Sequence, residues 1–326
     1  MANLGMFRDD SNTPTGFTEI GSGYRDRLIK GGGTALDTGG TDNHEHSMSS
    51  WSCNNVNGTT SDGGSTPITG VNHTHNSASI NGSASHLPPY KNLRVLLISA
   101  DTFNGVIPAG TIVFHEDVPS GWDRYDGGSS YFIRISSTAG GTGGSLTHSH
   151  TISGTTSGPS ATGTVTGTSS WRYCPNNHTH TFSGTSSTSS SSDYYYWACG
   201  LIKASADRIL PLNSIVLADG SLSGDFWEEV TGASGRLLRI SSTNSITTGG
   251  SSDTFSHTHS FSGTTDQMSQ STVVGGGSYY TVALNTHTHS ISFNLSATNP
   301  EPSYVRLKLY KLIRLIGSRF VNAIVI

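Results

Sequence analysis

Polar and apolar residues alternate over short stretches of the chain, separated by clusters of Gly, Ser and Thr. Thr147-His-Ser-His-Thr-Ile-Ser153 and Ser256-His-Thr-His-Ser-Phe-Ser262 place a larger side chain at every second position, which is the period of an extended strand. Segments such as Thr138–Gly144 and Gly275–Ser278 punctuate these runs. No stretch carries a convincing helical period. The pattern predicts an all-β fold with long, extended excursions.

The same pattern repeats. Twelve of the 14 histidines fall in six His-x-His triplets: His44/His46, His73/His75, His148/His150, His178/His180, His257/His259 and His287/His289. Chance placement of that many histidines would give about 0.6 triplets. The triplets come in three pairs, whose first histidines lie 29, 30 and 30 residues apart. A Tyr follows the last histidine of each pair by 15 residues (Tyr90, Tyr195, Tyr304), before the strand-like runs Leu93–Ile98, Trp197–Ile202 and Val305–Tyr310. Upstream of each pair lies a hairpin-like signal: Gly5–Phe7 with Arg27–Ile29, Gly110–Phe114 with Tyr131–Ile135, and Ser214–Leu217 with Leu237–Ile240. The chain ends Phe320-Val-Asn-Ala-Ile-Val-Ile326, which matches the first strand of a further copy. These landmarks divide it into copies at 1–104, 105–208 and 209–316, followed by an orphan strand at 317–326.

Composition narrows the function. The 326 residues carry a net charge of −4, and only 12% are charged, so no basic stripe exists to neutralise a phosphate backbone and nucleic acid is not an expected partner. No apolar run reaches the roughly 18 residues needed to span a bilayer, and no signal-peptide pattern opens the sequence. A hydrophobic fraction of 33% allows only a thin core. Cys53, Cys174 and Cys199 are an odd, scattered set, so disulfides cannot be the main staple.

The triplets offer another staple. On a strand, residues i and i+2 point to one side, so each triplet presents two imidazoles together while its polar middle residue (Glu45, Thr74, Ser149, Thr179, Thr258 or Thr288) faces away. Three triplets around one axis supply six nitrogens, an octahedral shell. Imidazole suits Zn, Cu, Fe and Ni, but structural Zn prefers four ligands, so Fe(II) is the preferred ion and Ni, Co or Zn the alternatives. The expected grouping is His44, His46, His148, His150, His257 and His259 at one site. His73, His75, His178, His180, His287 and His289 would form the other, giving two metals per chain. A closed six-histidine shell has no open coordination position and predicts structure, not catalysis. His86 and His115 stand outside the pattern.

The stretch Ile107-Pro-Ala-Gly-Thr-Ile-Val-Phe114, followed by Val118-Pro-Ser-Gly-Trp122, resembles the collar segment of the tail-collar and tail-fibre-tip proteins of tailed bacteriophages. His148-Ser-His-Thr-Ile-Ser-Gly-Thr-Thr156 and His257-Thr-His-Ser-Phe-Ser-Gly-Thr-Thr265 resemble the needle segments of that family. Copy one departs from the collar pattern, with Phe17 where Trp stands. The resemblance implies intertwined chains, His-x-His triplets around an axial iron or zinc, and a needle that turns at a receptor-binding tip. The family carries one unit per chain in a homotrimer. With three units in tandem, this chain either folds as a pseudo-trimer, the favoured arrangement, or three chains build three successive needles.

The turn segments Ser47–Asn72, Thr151–Asn177 and Ser260–Thr286 differ most among the copies. Trp51, Trp171, Tyr173, Tyr279 and Tyr280 on them are candidate contacts to a host-surface glycan or protein, or else a plug packed across the axis. The orphan strand suggests pairing within the chain or with the next subunit. The acid pairs Asp9/Asp10, Glu116/Asp117 and Glu228/Glu229 are adjacent residues that point to opposite faces of a strand, and there is no Gly-x-Ser-x-Gly elbow. The expectation is a non-enzymatic, metal-stapled appendage of a virion, bound to other virion or fibre subunits. The alternative is an extracellular filament subunit assembled head-to-tail through the last strand.

Overall fold

The computed structural model describes residues 2–46, 59–61, 67–69, 83–125, 131–156, 179–190, 194, 196–241, 243, 245–250, 257–266, 288–295 and 301–316. Among these, all regular structure is β-strand apart from two three-residue 3-10 turns, Ser22–Tyr24 and Thr231–Ala233. The predicted all-β class is the one adopted.

The strands that head the three copies are short apolar runs, Asn3–Arg8, Ile112–Phe114 and Ile215–Ala218, almost wholly buried. Bulky and β-branched side chains covered on both faces favour such strands. Each pairs with both of the others: Phe7 opposes Ile112, Phe114 opposes Ile215, and Gly5 opposes Leu217. Each also pairs antiparallel with the strand that closes its own copy: Phe7 with Val95, Phe114 with Leu201, Leu217 with Leu309.

A second circuit lies beside the first. Leu28–Gly31, Phe132–Ile135 and Leu237–Ile240 pair antiparallel with one another, Leu28 opposite Arg134, Phe132 opposite Arg239 and Leu237 opposite Lys30. Here the closing strands change partner. Tyr90 runs parallel to Phe132 of copy two, Tyr196 parallel to Leu237 of copy three, and Tyr304 parallel to Leu28 of copy one. Both circuits belong to one 16-stranded sheet. Its core is built from all three copies: Phe7, Phe114 and Leu217 belong to one buried cluster, in which Phe7 meets Phe114 edge-on at 5.4 Å and Phe114 meets Trp197 at 5.2 Å.

The three partner changes share a local device. The cationic group of Lys30 lies 4.9 Å from the ring centre of Tyr304, that of Arg134 4.7 Å from Tyr90, and that of Arg239 4.6 Å from Tyr196, all within cation–π range. On the other side each tyrosine hydroxyl occupies the space that a Cβ would need at Gly39, Gly143 or Gly249. In the second copy it is Tyr196, rather than the expected Tyr195, that opens the strand and fills this place. Three consecutive tyrosines, Tyr194 to Tyr196, blur the register that spacing alone suggests.

Beyond the sheet the chain runs in narrow two-stranded ribbons, Thr151–Thr155 with Thr181–Thr185 and Ser260–Thr264 with Ser290–Asn294. Alternation sets their faces: Ser and Thr point outward, while Ile152, Phe182, Phe261, Ile291, Phe293 and Leu295 form a buried apolar cluster between the ribbons.

Phe114 is fully buried at the centre of the aromatic contacts. Truncating it to Ala should cost about 3–5 kcal/mol of stability. Chemical denaturation checks this; a loss under 1 kcal/mol would show that the three copies do not share one core.

Candidate metal centre

Strand alternation turns both histidines of a triplet inward. His44, His46, His148, His150, His257 and His259 are all buried, whereas Glu45 and Thr258 between them are exposed and Ser149 is half-buried. The triplets sit where each chain segment leaves the sheet, with His44 held in the pair Asn43–Glu45/Ser83–Ser85 and His148 opposite Ser189. His150 is fixed further, its backbone N–H donating to Ser186 Oγ at 2.9 Å.

The six Nε2 atoms converge. His44 Nε2 lies 3.1 Å from His46 Nε2, 3.0 Å from His257 Nε2 and 3.2 Å from His150 Nε2. His148 Nε2 lies 3.0 Å from His257 Nε2 and 3.3 Å from His259 Nε2. All six ligand atoms lie within 4.8 Å of one another.

The rings meet edge-on at centroid distances of 4.7–5.5 Å. Each ring meets four others and stands across from the fifth: His44 opposite His259, His148 opposite His46, His257 opposite His150. That is the connectivity of an octahedron. With edges of 3.0–3.3 Å, its centre is about 2.1–2.3 Å from each corner, at or slightly beyond the length of an imidazole–metal bond.

Protonation favours a cation there. Burial, followed by the neighbouring imidazoles, pushes the pKa of His44 from 6.5 down to about 2 and that of His148 down to about 3. His259 Nδ1–H donates to the Ser187 carbonyl at 2.6 Å, so its Nε2 carries a lone pair toward the centre. A positive ion at the point where the Nε2 atoms converge would be held by their lone pairs. The residues present therefore fit a six-coordinate metal.

Of the second expected group, His180 and His289 are described. Both are buried, with ring centroids 4.9 Å apart and planes at 81°. Thr156 Oγ1 accepts from the His180 backbone N–H at 2.8 Å, and Thr265 Oγ1 does the same for His289 at 2.9 Å. His180 Nδ1–H donates to the Asp266 carbonyl at 3.0 Å, which leaves its Nε2 as an acceptor. His73, His75, His178 and His287 lie outside the described residues, as do Trp51, Trp171, Tyr173, Tyr279, Tyr280 and residues 317–326.

Two histidines had no role in the sequence pattern. His86 packs against His44, with Nδ1 of each 3.1 Å apart; nothing in its spacing marks it. His115 Nε2–H donates to the Leu212 carbonyl at 2.9 Å and ties copy two to copy three. The acid pairs sit in ion pairs: Asp9 with Lys203, Asp10 with Arg8, Glu116 with Lys311 and Glu229 with Lys308. Cys199 is a buried thiol whose pKa burial pushes up to about 12. No helix among the described residues is long and apolar enough to cross a membrane. The chain matches no protein-family model, no curated protein and no solved structure.

An unfolded chain takes up protons at His44 and His148 near pH 6.5, while the folded chain resists them down to about 2 and 3 respectively. Below pH 6.5 the unfolded state therefore binds more protons, so stability is complete above that value and falls as the pH is lowered. The thermal midpoint should be lower at pH 5 than at pH 7.5; a midpoint that rose on acidification would contradict the assignment.

Proposed function

We propose that this chain is a metal-stapled structural spike, a component of a phage virion that contacts the host surface through the turn segments of its needle. In this reading 1–104, 105–208 and 209–316 are three copies of one unit, wound about a common axis with pseudo-threefold symmetry inside a single chain. The single observation that carries it is the octahedral meeting of six imidazoles drawn from triplets more than 100 residues apart in sequence. The cyclic strand pairing supports it, since each closing strand lies on the next copy and the third lies on the first.

The six residues would hold Fe(II) by preference, with Ni, Co or Zn as alternatives, and the bound ion would add its binding free energy to that of folding. The buried pair His180 and His289 supports a second ion, with His73, His75, His178 and His287 completing its shell. In this reading the second ion would lie about 20 Å from His150, six residues at strand rise, since Thr156 pairs with His180.

A second reading, an extracellular filament subunit joined head-to-tail through residues 317–326, is favoured by one observation. Val106, Ile209, Leu212, Ile313 and Leu315 are exposed, and Val106 and Ile209 pair with each other. Such a patch is a surface for pairing with another chain.

Native mass spectrometry with elemental analysis separates these readings. The expected species is one 34.3 kDa chain carrying two transition-metal ions. A compact trimer of chains would reject the pseudo-trimer, and metal-free folded protein would reject the staple. Replacing His148 and His150 by Ala should remove one ion per chain and lower the thermal midpoint by more than 10 °C. A chelator should have the same effect on the wild type.

A further inference from the structure

The six ligands of the centre are not equivalent in what stands behind them. The Ser187 carbonyl behind His259 can only accept a proton, so the tautomer of His259 is fixed by the backbone. His44 instead has another imidazole behind it. His86 is buried, its ring centre 4.9 Å from that of His44 and its plane at 76°, and the two Nδ1 atoms are 3.1 Å apart. One proton lies between two nitrogens, and either can carry it.

The two placements differ in consequence. With the proton on His86 Nδ1, neutral His44 must carry its own on Nε2, aimed at the Nε2 atoms of His46, His257 and His150. That form links the rings by a hydrogen bond and offers no lone pair to a metal. With the proton on His44 Nδ1, the Nε2 lone pair faces the centre, and His86 carries its proton on Nε2. The surroundings of His86 favour this second form: the Glu301 backbone and the Asp42 carboxylate, both proton acceptors, lie near its ring.

We infer that His86 is a positioning residue for the metal centre. It accepts the Nδ1 proton of His44 and so holds that ligand with its Nε2 lone pair toward the ion. This rests on the reading of the six histidines as a metal site and adds the group that makes one ligand competent. The counterpart positions in the other copies, by the register of Tyr90, Tyr196 and Tyr304, are Ser192 and Pro300. Neither is a histidine, so an imidazole at this position occurs in copy one alone. In the other tautomer a His44 Nε2–H points into the centre, and converting it to the binding form requires the Nδ1 proton to pass from His86 to His44, the Nε2 proton of His44 to be released and one proton to be taken up at His86 Nε2.

Two measurements test it. In the protein grown without added transition metal, nitrogen chemical shifts of the histidine rings should show His44 protonated at Nδ1 and bare at Nε2; the reverse assignment overturns the inference. In the Co(II)-loaded full chain, His86→Leu should speed loss of one ion to a chelator about 10–100-fold. It should also shift the ligand-field spectrum, while His86→Asn, whose side-chain oxygen can accept in place of Nδ1, should restore most of the wild-type rate. Equal rates in wild type and His86→Leu, with the fold retained by circular dichroism, would also overturn it. If the wild type takes up no cobalt, the metal reading itself fails, and the ring shifts still decide the role of His86.

Discussion

Six buried imidazoles pointing their Nε2 atoms at one place is a costly arrangement for a protein to build. Burial keeps His44 and His148 from relieving the crowding by taking up a proton, and neighbouring Nε2 atoms lie only 3.0–3.3 Å apart. A divalent ion at their centre would turn that crowding into coordination. The rest of the molecule can be understood as the frame that holds the triplets at that distance: a broad sheet with a shared aromatic core, narrowing into ribbons too thin to hold themselves together by apolar burial alone.

The frame works by exchange of strands between copies. A closing strand begins beside the next copy and ends beside the first strand of its own, so pulling one copy away would break pairing in both others. Tyrosine, glycine and a cation mark each crossing, and each supplies something the others lack: ring area, room and charge. The ribbons rely on a different balance. Their outward Ser and Thr gain little from packing, and the inward Ile, Phe and Leu residues form one small buried cluster between the six-histidine group and the His180/His289 pair.

Much of this was legible in the sequence, because periodicity is a strong signal when it recurs. The six triplets, the period near 105 residues and the apolar runs at Ile112–Phe114, Leu237–Ile240 and Tyr304–Leu312 all follow from side-chain alternation. Which copy a closing strand would choose was not legible, since the three target strands are chemically alike and only the path of the chain decides. The same holds for Tyr196, hidden in a run of tyrosines. His86 escaped for another reason: its role lies in a contact with a residue 42 positions away, and no local pattern encodes that.

The pairing of Tyr304–Leu312 with Leu28–Gly31 has a consequence for biosynthesis. Leu28 must wait for a partner made 276 residues later, which at ribosomal speeds of 5–20 residues per second is roughly 14–55 s. Throughout that interval an apolar strand edge stands open on the nascent chain, next to similar edges on neighbouring ribosomes. Contacts so distant in sequence close slowly, and open edges invite mispairing. The pairing thus makes the start of the chain dependent on its last described strand for completion.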